Sequence, residues 1–521
     1  MHDALLTLLL LLTLVGVVSI AAPRLWIPPP IALVLVGLGV AFVPGIPRLT
    51  LEPSLILLFF LPPLLYADSF NTSWVDFRRW IRPIAMLAVG LVAATIVVVG
   101  LVTKQMFPEL PWAACFILGA VVSPTDTVAA QSILERLRIP RRATAILGGE
   151  SLVNDATGLV GVQIGVAVAL SGAFEASTVV WQFTLVAGGG IAIGLAAGLS
   201  FAWLNQKVRD TTALFVLSLI APYASYLASE RIGASGVLAV VTSGFFVAWR
   251  IHQIPAESRV RLYSAWELIT ALLNGFCFLY IGLTVPRLLT EQQADEPHCL
   301  IGALLVAFAV IATRLVWVFP GAYLPLFLSP RLREREGGYP SWQGVLLTGW
   351  CGMRGAVSLA AALSIPQFMP DGSAFPGRGV VEFCTLVTIA ATLLVQGLTL
   401  KPMIDGLRIP ADAQGEHEVR LARIDLLRAG ISRLDAFCTE TLCPIAVHHL
   451  RHAMVDQLQA LEEKDAAEQE LAQRRHDVSQ DVKRAVLESQ SAALLALRDR
   501  GTINDRTYLE LQIELDKAAE A

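Results

Sequence analysis

The sequence predicts an all-α, polytopic membrane protein built as two inverted repeats, followed by a helical tail outside the membrane. Apolar runs near twenty residues recur as far as Lys401 in a chain of 521 residues that is 55% hydrophobic and 16% charged, with mean hydropathy +0.62. Lipid cannot satisfy an exposed backbone polar group, so such runs must be helices. Basic residues crowd into alternate loops, which fixes the order of crossings. Two runs are also interrupted by proline or glycine at matching places in the two halves, the pattern of a transport site near the membrane midplane.

Thirteen spans are read, at roughly 4–22, 30–45, 51–68, 84–104, 112–131, 143–169, 178–204, 212–230, 233–250, 264–288, 299–327, 342–365 and 380–402. The first is a spanning helix rather than a signal peptide: Met1-His2-Asp3 carries no Lys or Arg, and a second apolar run follows closely. Span three ends in Pro62-Pro63-Leu64-Leu65-Tyr66-Ala67-Asp68. Span five carries Pro124 at its middle, and span twelve runs Gly349-Trp350-Cys351-Gly352-Met353-Arg354-Gly355. Both are expected to break there. They lie seven spans apart, as they would if spans one to six and eight to thirteen were repeats flanking span seven. Span seven has Gly190, Gly194 and Gly198 on one face, a stripe that lets another helix approach closely.

Loop charge tests this order. With the amino terminus outside, the inner loops hold sixteen Lys and Arg, from Arg24 to Arg335, and the outer loops hold five: Arg48, Lys104, Arg231, Arg287 and Arg378. The positive-inside rule then places the carboxyl terminus in the cytoplasm, and the expected location is a bacterial inner membrane. After the transmembrane domain (1–404), residues 405–521 are charged and helix-forming, a cytoplasmic tail. The seven cysteines form no Cys-x-x-Cys pair and read as small buried residues. His448, His449 and His452 lack a carboxylate or cysteine at ligand spacing and read as a solvated helix face. No cofactor and no nucleic-acid partner is implied; the partners expected are ions and membrane lipid.

Two carboxylates lie inside the apolar stretches: Asp126 in Ser123-Pro124-Thr125-Asp126, and Asp155 in Glu150-Ser151-Leu152-Val153-Asn154-Asp155. An ionised side chain at the centre of a spanning helix costs roughly 2.5–3.5 kcal/mol, so such residues face a partner, a cavity or an ion path. Both count back to one basic loop, Asp155 by about 18 Å of helix and Asp126 by about 13 Å, so they share a depth. Ser151 with Asp155, and Glu150 with Asn154, are one turn apart, and the stripe offers two carboxylates, a hydroxyl and an amide. Pro124 frees carbonyls, that of Thr125 among them. Carboxylates, hydroxyls and carbonyls form the all-oxygen set that a hard monovalent cation takes on losing its water. Asp68 is expected to contribute through water or to reach the inner interface. Arg314 and Arg354 also lie in spans, and an unpaired buried arginine is prohibitive. Glu150 is the expected partner of Arg314, a structural ion pair joining the two halves, while Arg354 balances charge at the broken helix.

An aspartate so placed can carry one proton or one cation, but not both, and that competition alone yields coupled exchange. Four motifs sharpen the reading: Leu61-Pro62-Pro63, Ser123-Pro124-Thr125-Asp126, Gly149-Glu150-Ser151-Leu152-Val153-Asn154-Asp155 and Gly352-Met353-Arg354-Gly355-Ala356-Val357. In this order they resemble the monovalent cation/proton antiporter superfamily, specifically its sodium/proton exchanger branch of bacterial NhaP-type and animal NHE-type proteins, over about residues 4–405. The resemblance implies an NhaA-like antiporter fold with two crossed, unwound helices. It implies a homodimer with core spans about 84–169 and 299–402, dimerisation spans about 4–68 and 212–288, and a linker span about 178–204. It implies Na+ ligands at Asp155, Ser151 and the Thr125 backbone, with Asp126 and Asp68 acting through water. Asn154-Asp155 is similar to the electroneutral branch, which exchanges one cation for one proton and serves pH homeostasis.

The expected function is therefore an electroneutral Na+/H+ antiporter and not an enzyme, with K+ or mixed Na+/K+/Li+ exchange as the near alternative. An intramembrane aspartyl protease is the alternative from another class. It is opposed by the Pro-Thr before Asp126, by the two membrane arginines and by the lack of a Gly-x-Gly-Asp motif.

Overall fold

The computed structural model describes residues 2–25, 27–43, 53–126, 130–131, 134, 139–171, 176–293, 299–409, 413–440, 445–462 and 486–497, and residues 500, 507, 511–512 and 515. The chain divides into two compact units, Met1–Ala411 and Asp412–Ala521. The division falls slightly beyond 404 because the last membrane helix continues to Leu407 and Ile409 packs back on the core.

The first unit is helical; among its described residues the β structure is a single isolated bridge, Phe368 with Ala374. Its apolar helices are α1 (His2–Ala21), α2 (Pro29–Ala41), α3 (Pro53–Asn71), α4 (Ile81–Met106), α5 (Trp112–Val121), α6 (Arg141–Ser171), α7 (Ala176–Lys207), α8 (Thr211–Glu230), α9 (Gly236–Trp249), α10 (Ala256–Gln293), α11 (Cys299–Leu328), α12 (Trp342–Trp350), α13 (Ala356–Leu363) and α14 (Arg378–Leu407). Seven helices among the described residues (within α4, α6, α7, α8, α10, α11 and α14) are long and apolar enough to cross a membrane, and shorter apolar helices accompany them. Starts are set locally: Ser73, Asp210, Ser235, Ser329 and Ser341 each accept a backbone N–H three residues on, as N-caps do.

Helices α4, α5, α6, α11 and α14 pack on one another, while α2, α3, α8, α9 and α10 form a second group. Small residues set the closest approaches. A Cβ on Gly37 of α2 would strike the Leu279 carbonyl of α10, and one on Gly282 would strike the Val34 carbonyl. The stripe on α7 works alike: a Cβ on Gly190 or Gly194 would meet the Ser235 or Ala239 carbonyl of α9. Where the two groups meet, α3 and α10 face α6 and α13. That seam holds the site. At one end of the first group, Arg82 makes a two-point contact with Glu336 at 2.5 and 2.9 Å, and Arg142 reaches the same carboxylate at 3.4 Å.

In the second unit α15 (Ala413–Glu440) and α16 (Ile445–Glu462) pair antiparallel. Arg428 bonds Glu462 at 2.6 Å, and Arg451 bonds Asp435 at 2.6 Å. These are exposed pairs of small individual worth. His449 lies outside the residues whose side chains are described. Cys115, Cys277, Cys299, Cys351 and Cys384 are buried free thiols.

Candidate cation site

Two helices break and their loose ends cross. After α5 the chain leaves the helix through Ser123-Pro124-Thr125-Asp126; between α12 and α13 it leaves the helix from Cys351 to Gly355. The Asp126 N–H donates to the Met353 carbonyl at 2.8 Å, joining the two non-helical stretches. Glycine is required at this approach: a Cβ on Gly355 would occupy the Asp126 carboxylate, and one on Gly352 would collide with the Arg314 guanidinium.

Broken helices leave carbonyls unsatisfied at each C-terminal end, and two buried arginines supply donors to them. Arg314 donates from Nε to the Gly349 carbonyl at 3.1 Å and from Nη2 to the Thr348 carbonyl at 3.0 Å, both in the last turn of α12. Arg354 donates from Nε to the Val122 carbonyl at the end of α5, at 2.9 Å, and from Nη1 to the Gly352 carbonyl. Its own N–H donates to Thr392 Oγ1 of α14 at 3.1 Å. Positive charge thus sits at the negative ends of both half-helices.

Glu150 of α6 meets Arg314 in a two-point ion pair. Nη2 donates to Oε2 at 2.8 Å and Nη1 donates to Oε1, with both residues 0% exposed. This links α6, in the first half of the chain, to α11 in the second. Thr125 Oγ1 donates to Glu150 Oε1 at 3.3 Å, and Asn154 Nδ2 donates to Thr125 Oγ1 at 2.7 Å. Ser151 Oγ donates to the Thr125 carbonyl at 2.8 Å.

Asp155, Ser151, Thr125, Asp126 and Asp68 line one cavity of about 30 Å³, room for a water or a bare monovalent ion. Asp155 is 6% exposed, whereas Asp68, on α3, is exposed. Polar groups at α6 divide into two faces rather than one. Ser151 and Asp155 turn to the cavity, whereas Glu150 and Asn154, about 100° around the helix, turn to Thr125 and Arg314. Asn154, expected among the ion ligands, does not line the cavity: it stands behind, bracing Thr125. The sequence reading also missed Asn274 of α10 and Ser358 of α13, which line the same cavity. The available signal was weak: a single amide in mid-span, and a hydroxyl one turn after Arg354. Among the described residues no cluster of His, Cys, Asp and Glu is suited to a resident metal.

The family model described as "Sodium/hydrogen exchanger, transmembrane" matches residues 8–406. An uncharacterised Na+/H+ exchanger of Mycobacterium tuberculosis is 33% identical over 514 residues, covering 97% of this chain and 94% of the relative. The sodium, potassium, lithium and rubidium/H+ antiporter of Bacillus subtilis is 32% identical over 413 residues, covering 76% of this chain and 61% of that one. The solved structure of the sodium proton antiporter MjNhaP1 from Methanocaldococcus jannaschii matches with a TM-score of 0.62 at 21% identity, over 78% of this chain and 99% of that chain. At that identity the match speaks for the fold.

Proposed function

This chain belongs to the sodium/hydrogen exchanger family, and we propose that it exchanges one monovalent cation for one proton, both competing for Asp155. The family is one of membrane-spanning cation/proton antiporters, not of enzymes. The observation that carries the proposal is the convergence of Asp155, Asp126, Ser151 and Thr125 on one small cavity at the crossing of two broken helices. Every group there that can meet an ion does so through oxygen, which suits Na+, Li+ or K+ rather than a transition metal.

In this reading Asp155 releases its proton, takes a cation with the Ser151 hydroxyl and the Thr125 carbonyl, and is neutralised either way. The loaded site then moves relative to α3 and α10, so that access alternates between the two sides. Asp126 and Asp68 act through water. Glu150 and Arg314 are fully paired and serve as structure, holding Thr125 from behind. With Asn154 rather than a second aspartate before Asp155, one carboxylate carries the exchange, which supports an electroneutral cycle. The seam between the helix groups supports a moving core against a dimerisation body, in a homodimer. The loop charges support an inner membrane with a cytoplasmic carboxyl terminus. Asp68 then lies at the inner mouth of the cavity, and pH homeostasis is the physiological service.

The test is cation-dependent proton exchange in proteoliposomes, with Na+, Li+ and K+, with and without a membrane potential. Exchange indifferent to the potential is expected. Asp155→Asn should abolish it, and acidification should raise the apparent KM for the cation because protons compete for the same carboxylate. Near-normal exchange by Asp155→Asn would end the assignment. Similarity to the Bacillus protein named for four alkali cations favours a second reading, in which K+ is also carried. The same assay separates the two.

A further inference from the structure

Ser358 stands third in α13, the half-helix that leads away from the crossing, and is 1% exposed. It lines the cavity of Asp155, Asp126, Thr125 and Ser151, yet its hydroxyl has no hydrogen-bond partner among the described residues. Buried hydroxyls nearly always have one, and in helices it is commonly the carbonyl one turn back. Thr388 and Thr392 of α14 take that route, at 2.7 and 2.9 Å. For Ser358 the carbonyls one turn back belong to Arg354 and Gly355, just before α13 begins, and its hydroxyl bonds neither. Beside the break that makes the site, this serine is thus left without its ordinary partner. Its remaining direction is the cavity.

The other two hydroxyls of cavity-lining residues are engaged: Ser151 gives its proton to the Thr125 carbonyl, and Thr125 gives its own to Glu150. Ser358 keeps both its proton and its lone pairs. A hydroxyl that turns freely can serve two occupants: its lone pairs toward a cation, or its proton toward a bare carboxylate when the cation leaves. The first amides of α13 add positive potential on this wall, which favours the anionic carboxylates there. We propose that Ser358 supplies a neutral oxygen to the transported cation, directly or through one water, and thereby sets cation affinity and choice. The proposal rests on Asp155 as the ion carrier.

Exchange by Ser358→Ala, Ser358→Cys and Ser358→Thr in proteoliposomes tests it, with Na+, Li+ and K+ and with Asp155→Asn alongside. Ala removes the oxygen, Cys replaces it with soft sulfur at similar size, and Thr retains it. Ala and Cys should raise the apparent KM by roughly five- to tenfold, unequally among the three cations, with maximal rate and melting temperature unchanged. Thr should stay within about twofold of the parent. Unaltered KM for Ala and Cys, an equal KM rise with Thr, or a lowered melting temperature and rate at constant KM would each overturn the assignment. Failure of both Ala and Cys to fold would mark the serine as structural and overturn it too. If Asp155→Asn still exchanges, the carrier reading itself fails; if it is silent while Ser358→Ala is normal, only the serine's role falls.

Discussion

Replacing Glu150 by Ala would leave Arg314 fully buried without its carboxylate. Two hydrogen bonds from Arg314 are lost, and the guanidinium keeps only the Gly349 and Thr348 carbonyls. Removing one partner of a buried, hydrogen-bonded ion pair costs about 3–5 kcal/mol, chiefly because a bare charge remains in a low-dielectric interior. Against a total stability on the order of 5–15 kcal/mol, that is a large share. Melting of the purified protein should fall by on the order of 5 °C. A smaller effect should reach the cavity, because Thr125 Oγ1 loses an acceptor while its carbonyl keeps Ser151. Any residual exchange should therefore show an altered KM for the cation rather than complete silence. Arg314→Ala should resemble Glu150→Ala, and the double variant should be less destabilised than the sum by about 1–3 kcal/mol. Thermal denaturation of all four proteins measures this coupling. Strict additivity would refute the pairing, since the bonds and the charge compensation that the two groups share cannot be lost twice.

Two further outcomes are expected. Gly355→Ala forces a methyl group into the Asp126 carboxylate, so exchange should fall at least tenfold while the protein still reaches the membrane; full activity in vesicles would contradict the tight crossing. Glu336→Ala leaves Arg82 and Arg142 facing each other without their shared carboxylate, and should lower stability by about 1–3 kcal/mol in a melting experiment with little change in cation KM.

Much of the site was legible because membrane chemistry is unforgiving. Few residues other than Asp126, Glu150, Asp155, Arg314 and Arg354 carry charge deep in the spans, and each must find a partner, a cavity or a freed backbone group there. The partner of Glu150 followed from that scarcity. The two faces of α6 did not. Residues 150, 151, 154 and 155 form one polar patch when written out, and only the neighbours on either side decide that Asn154 braces Thr125 while Asp155 meets the cavity. Ser358 was illegible for a related reason: serine in an apolar helix is ordinarily satisfied by its own backbone, and the break expected just before it does not tell which way its hydroxyl turns.

Apolar length, loop charge, two interrupted spans and the membrane-buried acids determined from sequence alone an all-helical, ion-handling membrane protein. Those features act locally, through the cost of leaving a peptide group or a charge in lipid. Tertiary structure decided what depends on distance through space: that residue 126 hydrogen-bonds residue 353, that α3 and α10 close the cavity with Asp68 and Asn274, and that two arginines hold the loose helix ends. Contacts between stretches far apart in the chain are set by how whole helices pack, and no short run of sequence carries that information.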